Sequence, residues 1–375
     1  MPLVILRHFL RRNFMQFTKN DTNIVKGAAI LMMMLHHCFL APERYAGYEI
    51  DFGFIGEGYT VLVSAFFKIC VAVFVFLSGY GISISLSRID LNDTRQCTDQ
   101  LKKRMLSLMS GYWFIYVLSV VAVLIIDRGM LSVYKSDYLP DSIIFAVTDF
   151  LGLAELFGTP TLNGTWWYMS LAIIIVAVMP IFYALYKKFG AAVPAVITFM
   201  LCGIFKDQNF DMVRWLFTMV LGMICAERNL LVKWAEFRII KKHDWADWIV
   251  KFLIYTPIAV LMIHIRQYCD YSVPYLRDGI IPMFFVFYIF AIVSKVPVID
   301  KVLAFLGKHS MNIFLSHTFL RAYFLKDFLY SLKYPVVIVT VLTVLSLLLS
   351  IVIDLLKKYT GYDKLIKRLT QKITA

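Results

Sequence analysis

The apolar positions of this chain fall into long unbroken runs separated by short charged stretches, with no alternation of period two. Apolar runs of about 17–25 residues match the hydrocarbon thickness of a bilayer when they are helical. Ten such runs are predicted to span: roughly 24–41, 60–86, 106–126, 166–186, 191–205, 212–227, 248–265, 279–294, 303–324 and 334–356. The fifth and sixth are short, and the ninth is interrupted by Lys308, His309 and His317. The stretch 143–157 is apolar but too short and too acidic to cross, which suits an interfacial or re-entrant position. A membrane β-barrel would show short alternating strands instead. The fold expected is all-α, a polytopic transmembrane helical bundle of about ten spans.

Composition sharpens that picture. Hydrophobic residues make up 60% of the chain and aromatics 16%, with a mean hydropathy of +0.72, beyond the range of ordinary soluble domains. The net charge of +13 would suit a nucleic-acid partner if the cations formed one patch. They sit instead at helix ends and in short loops, where they set membrane orientation, so no nucleic acid is expected. Basic residues gather before the first run (Arg7, Arg11, Arg12, Lys19, Lys26) and after the second (Arg88, Arg95, Lys102, Lys103, Arg104). They recur after the sixth (Arg228, Lys233, Arg238, Lys241, Lys242, Lys251) and in the tail (Lys357, Lys358, Lys364, Lys367, Arg368, Lys372). The alternate loops are acidic or neutral: 42–58 sets Glu43, Glu49, Asp51 and Glu57 against Arg44, and 127–165 sets five acids against Arg128 and Lys135. Both termini are therefore expected in the cytoplasm, which requires an even number of spans. Lys326 and Lys333, on the expected outer side, run against the pattern. Arg7, Arg11, Arg12 and Lys19 also dilute any cleavable signal. The six cysteines, Cys38, Cys70, Cys97, Cys202, Cys225 and Cys269, form no CxxC pair, so free packed thiols are expected rather than disulfides or a metal site. No linker rich in Pro, Gly or Ser divides the chain. One integral-membrane domain over 1–375 is expected, with a core at about 20–356 and a basic cytoplasmic tail at 357–375.

The first run carries the clearest candidate chemistry. From Lys26 to His37 it reads Lys-Gly-Ala-Ala-Ile-Leu-Met-Met-Met-Leu-His-His. In a helix, eleven positions turn the chain to about 20° beyond three full circles, so Lys26 and His37 share a face roughly 16 Å apart, while His36 points ~80° away. A cation at the membrane edge in line with an imidazole at bilayer depth suits a polar path, because ionisable groups inside a membrane lean towards function. The plain alternative is a basic helix flank and two histidines satisfied by neighbouring helices. Imidazole is the usual general base near neutral pH, and Glu43, Asp51 or Glu57 is close enough in sequence to orient it or to be a solvated face.

Other polar groups admit two readings each. Lys102, Lys103 and Arg104 serve as an inside-positive anchor or, with Lys26, as a site for an anionic donor carrying phosphates. The small residues in Phe76-Leu77-Ser78-Gly79-Tyr80 permit close helix packing. Trp166, Trp167 and Tyr168, after Asn163, suit an interfacial aromatic belt or stacking on a sugar ring. His317 and Arg321 stand one α-turn apart in a run whose polar groups suit a cavity lining.

In order and spacing these segments resemble the acyltransferase 3 family of integral membrane acyltransferases. The resemblance rests on Lys26, Gly27 and His37, on Phe76 to Tyr80, and on Lys103-Arg104. It continues through Trp166-Trp167-Tyr168-Met169-Ser170-Leu171 with Pro180, Leu216 to Gly222, and Leu306-Gly307-Lys308-His309-Ser310 through His317. It covers about residues 20–356. It implies ten spans in a bacterial-type plasma membrane and transfer of an acyl group, commonly acetyl from acetyl-CoA, to a hydroxyl of an envelope polysaccharide or glycolipid. It implies His37 as general base, Lys26, Lys103 and Arg104 on the donor, and Trp166, Trp167 and His317 on the acceptor side. Two departures stand out: Ser107 where many relatives carry a second arginine, and Leu171-Ala172-Ile173-Ile174 where many carry acids, as in relatives that modify exopolysaccharide or capsule. Ser78, Asn163 and Trp166 are candidate donors to the oxyanion that acyl transfer develops. The rival expectation from the residues is a transporter or flippase of a lipid-linked saccharide, with the histidines as a proton relay.

Overall fold

The computed structural model describes residues 17–205, 212–268 and 275–373. Arg7, Arg11, Arg12 and Cys269 lie outside the described residues. Among those described every regular element is helical, with no strand. In chain order the main helices are α1 (Lys19–Phe39), α2 (Glu57–Phe66), α3 (Ile69–Leu86), α4 (Thr94–Ile126) and α5 (Leu139–Phe150). Then come α6 (Trp167–Phe189), α7 (Ala192–Ile204), α8 (Leu216–Glu227), α9 (Leu230–Glu236) and α10 (Asp244–Tyr268). The last are α11 (Ile281–Ala291), α12 (Ile299–Lys308), α13 (Ser310–Thr318), α14 (Pro335–Tyr359) and α15 (Tyr362–Ile373).

Six segments are long and apolar enough to cross a membrane: Glu57–Leu86, Thr94–Ile126, Gly164–Phe189, Asp244–Gln267, Leu276–Lys295 and Pro335–Tyr359. The pair Val213–Glu227 and Leu230–Glu236, bent by 63°, makes a seventh if it counts as one span. The other three expected runs are helical but do not pass the same test. α7 is only 13 residues long. The run 303–324 is divided among α12, α13 and a π-helical turn at Phe319–Phe324. α1 is long enough at 21 residues, but Asn23, Lys26, His36 and His37 dilute its hydropathy. α5, with 12 residues, is too short to cross. Among the described residues Cys38, Cys70, Cys97, Cys202 and Cys225 are thiols outside any disulfide.

The chain divides into two compact units, Met1–Ile84 with Ile181–Ser310 and Ser85–Pro180 with Met311–Ala375. In the first unit α1 is closed at its start by a capping box. The Thr18 hydroxyl accepts the Asp21 backbone N–H at 3.2 Å while the Asp21 carboxylate accepts from the Thr18 N–H at 2.9 Å and the Thr18 hydroxyl at 2.7 Å. α1 then lies against α12 with almost no space between the backbones. A Cβ on Gly27 would stand 2.0 Å from the Leu303 carbonyl oxygen, and one on Gly307 would stand 1.8 Å from that of Asn23. α3 and α8 repeat the arrangement: a Cβ on Gly79 would meet the Met219 carbonyl oxygen at 2.1 Å, and one on Gly222 would meet that of Phe76 at 2.1 Å. Four glycines of the motifs are thus packing residues, in reciprocal pairs.

In the second unit an aromatic and aliphatic core gathers Met109, Tyr112, Tyr116, Trp166, Leu315 and Phe319. Asp149, at the end of α5, is buried within it. Its carboxylate accepts from the hydroxyls of Tyr112 at 3.1 Å and Thr161 at 2.8 Å, from the Leu162 N–H at 2.8 Å, and from the Tyr134 hydroxyl. Burial pushes the Asp149 carboxyl up, against the pull of those donors, and pushes the Tyr134 phenol up as well, with the Asp149 charge adding to the effect. This hub fastens the short α5 and the segment after it to α4.

Gly27→Ala or Gly307→Ala should each destabilise the protein by about 2 kcal/mol, measured as thermal unfolding in detergent. Their combination should cost less than the sum, since both open one contact. Gly81→Ala, where a Cβ meets nothing within 4 Å, should stay within about 0.5 kcal/mol of wild type. An equal loss in all three would refute the seam.

Candidate active site

α1 is one unbroken helix through Lys26, His36 and His37, so the eleven-residue spacing does place Lys26 and His37 on one face. Both side chains are half-buried, whereas His36 is buried. The His36 Nδ1 lies 2.8 Å from the Ser64 carbonyl oxygen. A carbonyl only accepts, so Nδ1 carries the proton and His36 is committed to the backbone of α2. The two imidazoles are 5.2 Å apart at 49°. Arg44 closes this end of α1, donating to the carbonyls of His36 at 3.0 Å and His37 at 2.6 Å, where a cation also complements the helix dipole. Among the acids of the following loop, Glu57 accepts from the Tyr45 hydroxyl at 2.8 Å.

The apolar segment Glu57–Leu86 is interrupted at Phe67–Lys68, between α2 and α3. A break in apolar surroundings releases carbonyl oxygens that water cannot reach. Here the Ser64 carbonyl accepts from His36 and that of Phe66 from Arg266 at 3.4 Å. The Ala65 carbonyl, which also accepts the Lys68 N–H at 3.3 Å, takes a second donor from Arg266 at 3.3 Å, and one turn earlier the Leu62 carbonyl accepts from Gln267 at 3.0 Å. Arg266 is 2% exposed and pairs with Asp278, also 2% exposed, at 2.9 Å. The Asp278 backbone carbonyl accepts from the Thr218 hydroxyl. The sequence reading passed over this pair. Its only signal was a charge at the edge of each of two apolar runs.

In the second unit Lys102 is exposed while Lys103 and Arg104 are half-buried, and the Arg104 guanidinium donates to the Ser85 hydroxyl. Trp166 is enclosed, with its ring among Tyr112, Tyr116 and Phe319. Its indole N–H donates to the Leu315 carbonyl at 3.0 Å, beside the Asn163 amide at 3.3 Å. Both donors meet the Leu315 carbonyl one turn before the helix changes from α to π at Phe319. Ser78 likewise donates to the Phe74 carbonyl at 2.8 Å. Each candidate oxyanion donor therefore already holds a backbone carbonyl.

His317 is fully buried, with Nδ1 at 3.0 and 2.9 Å from the carbonyls of Ile313 and Phe314 and Nε2 at 3.3 Å from the Thr318 hydroxyl. Thr318 reaches Thr165 at 3.5 Å, and Thr165 donates to Asn163 at 2.9 Å. Arg321 lies inside the π turn, so the α-period that would put it over His317 ends at Thr318. Trp167 is half-buried. Nearby in this unit Asn312 bonds Ser350 at 3.1 Å and Asp354 at 2.7 Å and accepts from Lys357 at 2.9 Å. That network was also missed, since its polar residues lie far apart in sequence.

The sequence model of a family described as an acyltransferase domain matches residues 20–355, nearly the whole chain and parts of both units. No curated protein and no solved structure matches it.

Removing one partner of the buried pair tests its role. Asp278→Ala should cost about 3–5 kcal/mol and lower the yield of folded protein, while Arg266→Met with Asp278→Leu should recover only part of the loss, since the Ala65 and Phe66 carbonyls then lose their side-chain donor. An Asp278→Ala protein with wild-type melting behaviour would show that the pair does not hold the broken segment.

Proposed function

Because the chain belongs to the acyltransferase 3 family, and so is a multi-pass membrane acyltransferase, we propose that it moves an acyl group, acetyl in the first instance, from a cytoplasmic acyl-CoA to a hydroxyl of an envelope polysaccharide or glycolipid. The observation that carries the choice of base is the contrast on α1: His36 is buried and held by Ser64, while His37 is half-buried on the face of Lys26. His37 takes the proton of the acceptor hydroxyl as that oxygen bonds to the thioester carbonyl carbon. The carbon–sulfur bond breaks, and the thiolate leaves with a proton from solvent. Lys103 and Arg104 hold the donor's phosphates, for which ammonium and guanidinium groups are the natural partners. On the acceptor side Trp167 offers a ring face to a sugar, with Trp166 and His317 shaping the wall behind it.

The same reading sets all ten apolar runs across a bacterial-type plasma membrane with both termini in the cytoplasm, supported by the alternation of basic and acidic loops. A reporter active only in the cytoplasm, fused after Ala375, should therefore be active. Activity only of a reporter that requires export would overturn the topology.

The enzymatic reading is tested with labelled acetyl-CoA and purified protein in detergent, where no gradient exists. Wild type should transfer or hydrolyse acetyl groups. His37→Ala should lose about 100-fold or more in turnover, while His36→Ala keeps most of it in whatever fraction folds. Arg104→Ala should raise KM for acetyl-CoA by about tenfold with a smaller change in kcat. A folded wild type that turns over no acyl-CoA would instead favour transport. Equal activity of both histidine variants would remove His37 as the base.

A further inference from the structure

The C-terminal helix α15, Tyr362–Ile373, stands outside the catalytic reading. It begins at a tight turn where Gly361 has φ +75°, just after the last apolar helix. It is moored to α4 of the same unit: the Tyr362 hydroxyl donates to the Ser110 carbonyl at 2.8 Å, and its ring lies 5.0 Å from that of Phe114. At about 100° per residue, Tyr362, Leu365, Ile366, Leu369 and Ile373 fall within an arc of roughly 100°, and Lys364, Lys367, Arg368, Gln371 and Lys372 fall on the remainder. Tyr362, Ile366, Thr370 and Ile373 are half-buried along one edge. The other edge of the apolar arc is bare, with Leu365 51% and Leu369 39% exposed. Lys372 and Arg368 follow next around the helix on that bare side. None of Lys364, Lys367, Arg368 and Lys372 forms an ion pair among the described residues. With Asp363 as the one acid, the helix carries four basic groups against one acidic, a net +3.

We infer that α15 is an interfacial helix that binds the anionic phospholipid surface of the inner leaflet, with Leu365 and Leu369 in the acyl boundary and the four cations among the headgroups. Charge complementarity selects this occupant. A basic face beside a narrow apolar strip, tethered to the end of a membrane-crossing helix, meets negative headgroups on one side and hydrocarbon on the other. A soluble acidic partner would leave the two leucines facing water. The inference rests on the cytoplasmic placement of the tail, and not on the acyl-transfer chemistry.

The full-length protein in nanodiscs tests it, since both membrane faces are then open to protease. Tryptic cleavage within 364–372 is timed by mass spectrometry in discs of pure phosphatidylcholine and in discs with 30% phosphatidylglycerol. Cleavage at the exposed Lys241 and Lys242 serves as the internal reference. Relative to that reference, cleavage of α15 should slow about tenfold in the anionic discs, and 0.5 M NaCl should largely abolish the difference. Leu365→Gln with Leu369→Gln should lose most of the protection at low salt. Equal relative rates in the two lipids, or full protection in the double variant, would overturn the inference. A failed tail-reporter test would show the topology wrong, whereas equal relative rates with that test passed would show the lipid inference alone wrong.

Discussion

The reciprocal contact of α1 and α12 is the constraint on which the first unit depends. Between helices in lipid there is no hydrophobic driving force to draw them together, so close packing must supply the attraction. Gly27 and Gly307 let each backbone reach the other's carbonyl oxygens, and any larger residue would force them apart. A seam this tight also fixes rotation about the helix axis. That matters because His36 and His37 are adjacent, and turning α1 by about 100° would exchange their positions. One further contact sets the same angle, the His36 bond to Ser64 on α2, while the Thr18–Asp21 capping box and the Arg44 clamp close the two ends of the helix. Which histidine bonds Ser64 and which lies on the face of Lys26 thus follows from how closely Gly27 and Gly307 let the helices pack.

A second regularity runs through each unit taken by itself. At two changes of helix geometry in apolar surroundings, polar side chains from other elements bond backbone carbonyls, which would be costly to leave bare. Arg266, Gln267 and His36 do this at the interruption between α2 and α3. Trp166 and Asn163 do it where α13 passes into the π turn. Among the polar residues inside apolar runs, His36, Ser78, Asn163 and Trp166 are engaged by backbone carbonyls, and Lys26, His37, Lys103 and Trp167 are half-buried.

That division explains what could be read from the sequence. Membrane-spanning helices were legible because run length is a local property, and Lys26 with His37 was legible because helical spacing is arithmetic. Gly27, Gly79, Gly222 and Gly307 were visible as motif residues, but their meeting in pairs was not, since contacts between distant segments leave no local trace. Arg266 and Asp278 looked like ordinary charges at the ends of apolar runs. The ninth run misled in another way: its polar residues were read at α-helical period, and the π turn from Phe319 changes the register of Arg321. Among the described residues α1 does not pass as a span on length and hydropathy together for a related reason. Asn23, Lys26, His36 and His37 lower its hydropathy below that of the six segments that pass.

The charge pattern changes once pairing is considered. Arg44, the lone cation of an acidic loop, is bound to the end of α1. Lys187 pairs with Glu227 at 2.9 Å, Lys251 with Asp247 at 2.8 Å and Arg238 with Asp244 at 2.5 Å. Such pairs are locally neutral and pull little on an orienting field beyond a Debye length of about 8 Å. The tail is different, because Lys364, Lys367, Arg368 and Lys372 are exposed and have no acid to balance them beyond Asp363. Among the described residues these four unpaired cations sit at the far end of the last apolar helix. The net charge of +13 is therefore better understood as a distribution, partly cancelled by pairs within each unit and left uncancelled on stretches such as this tail.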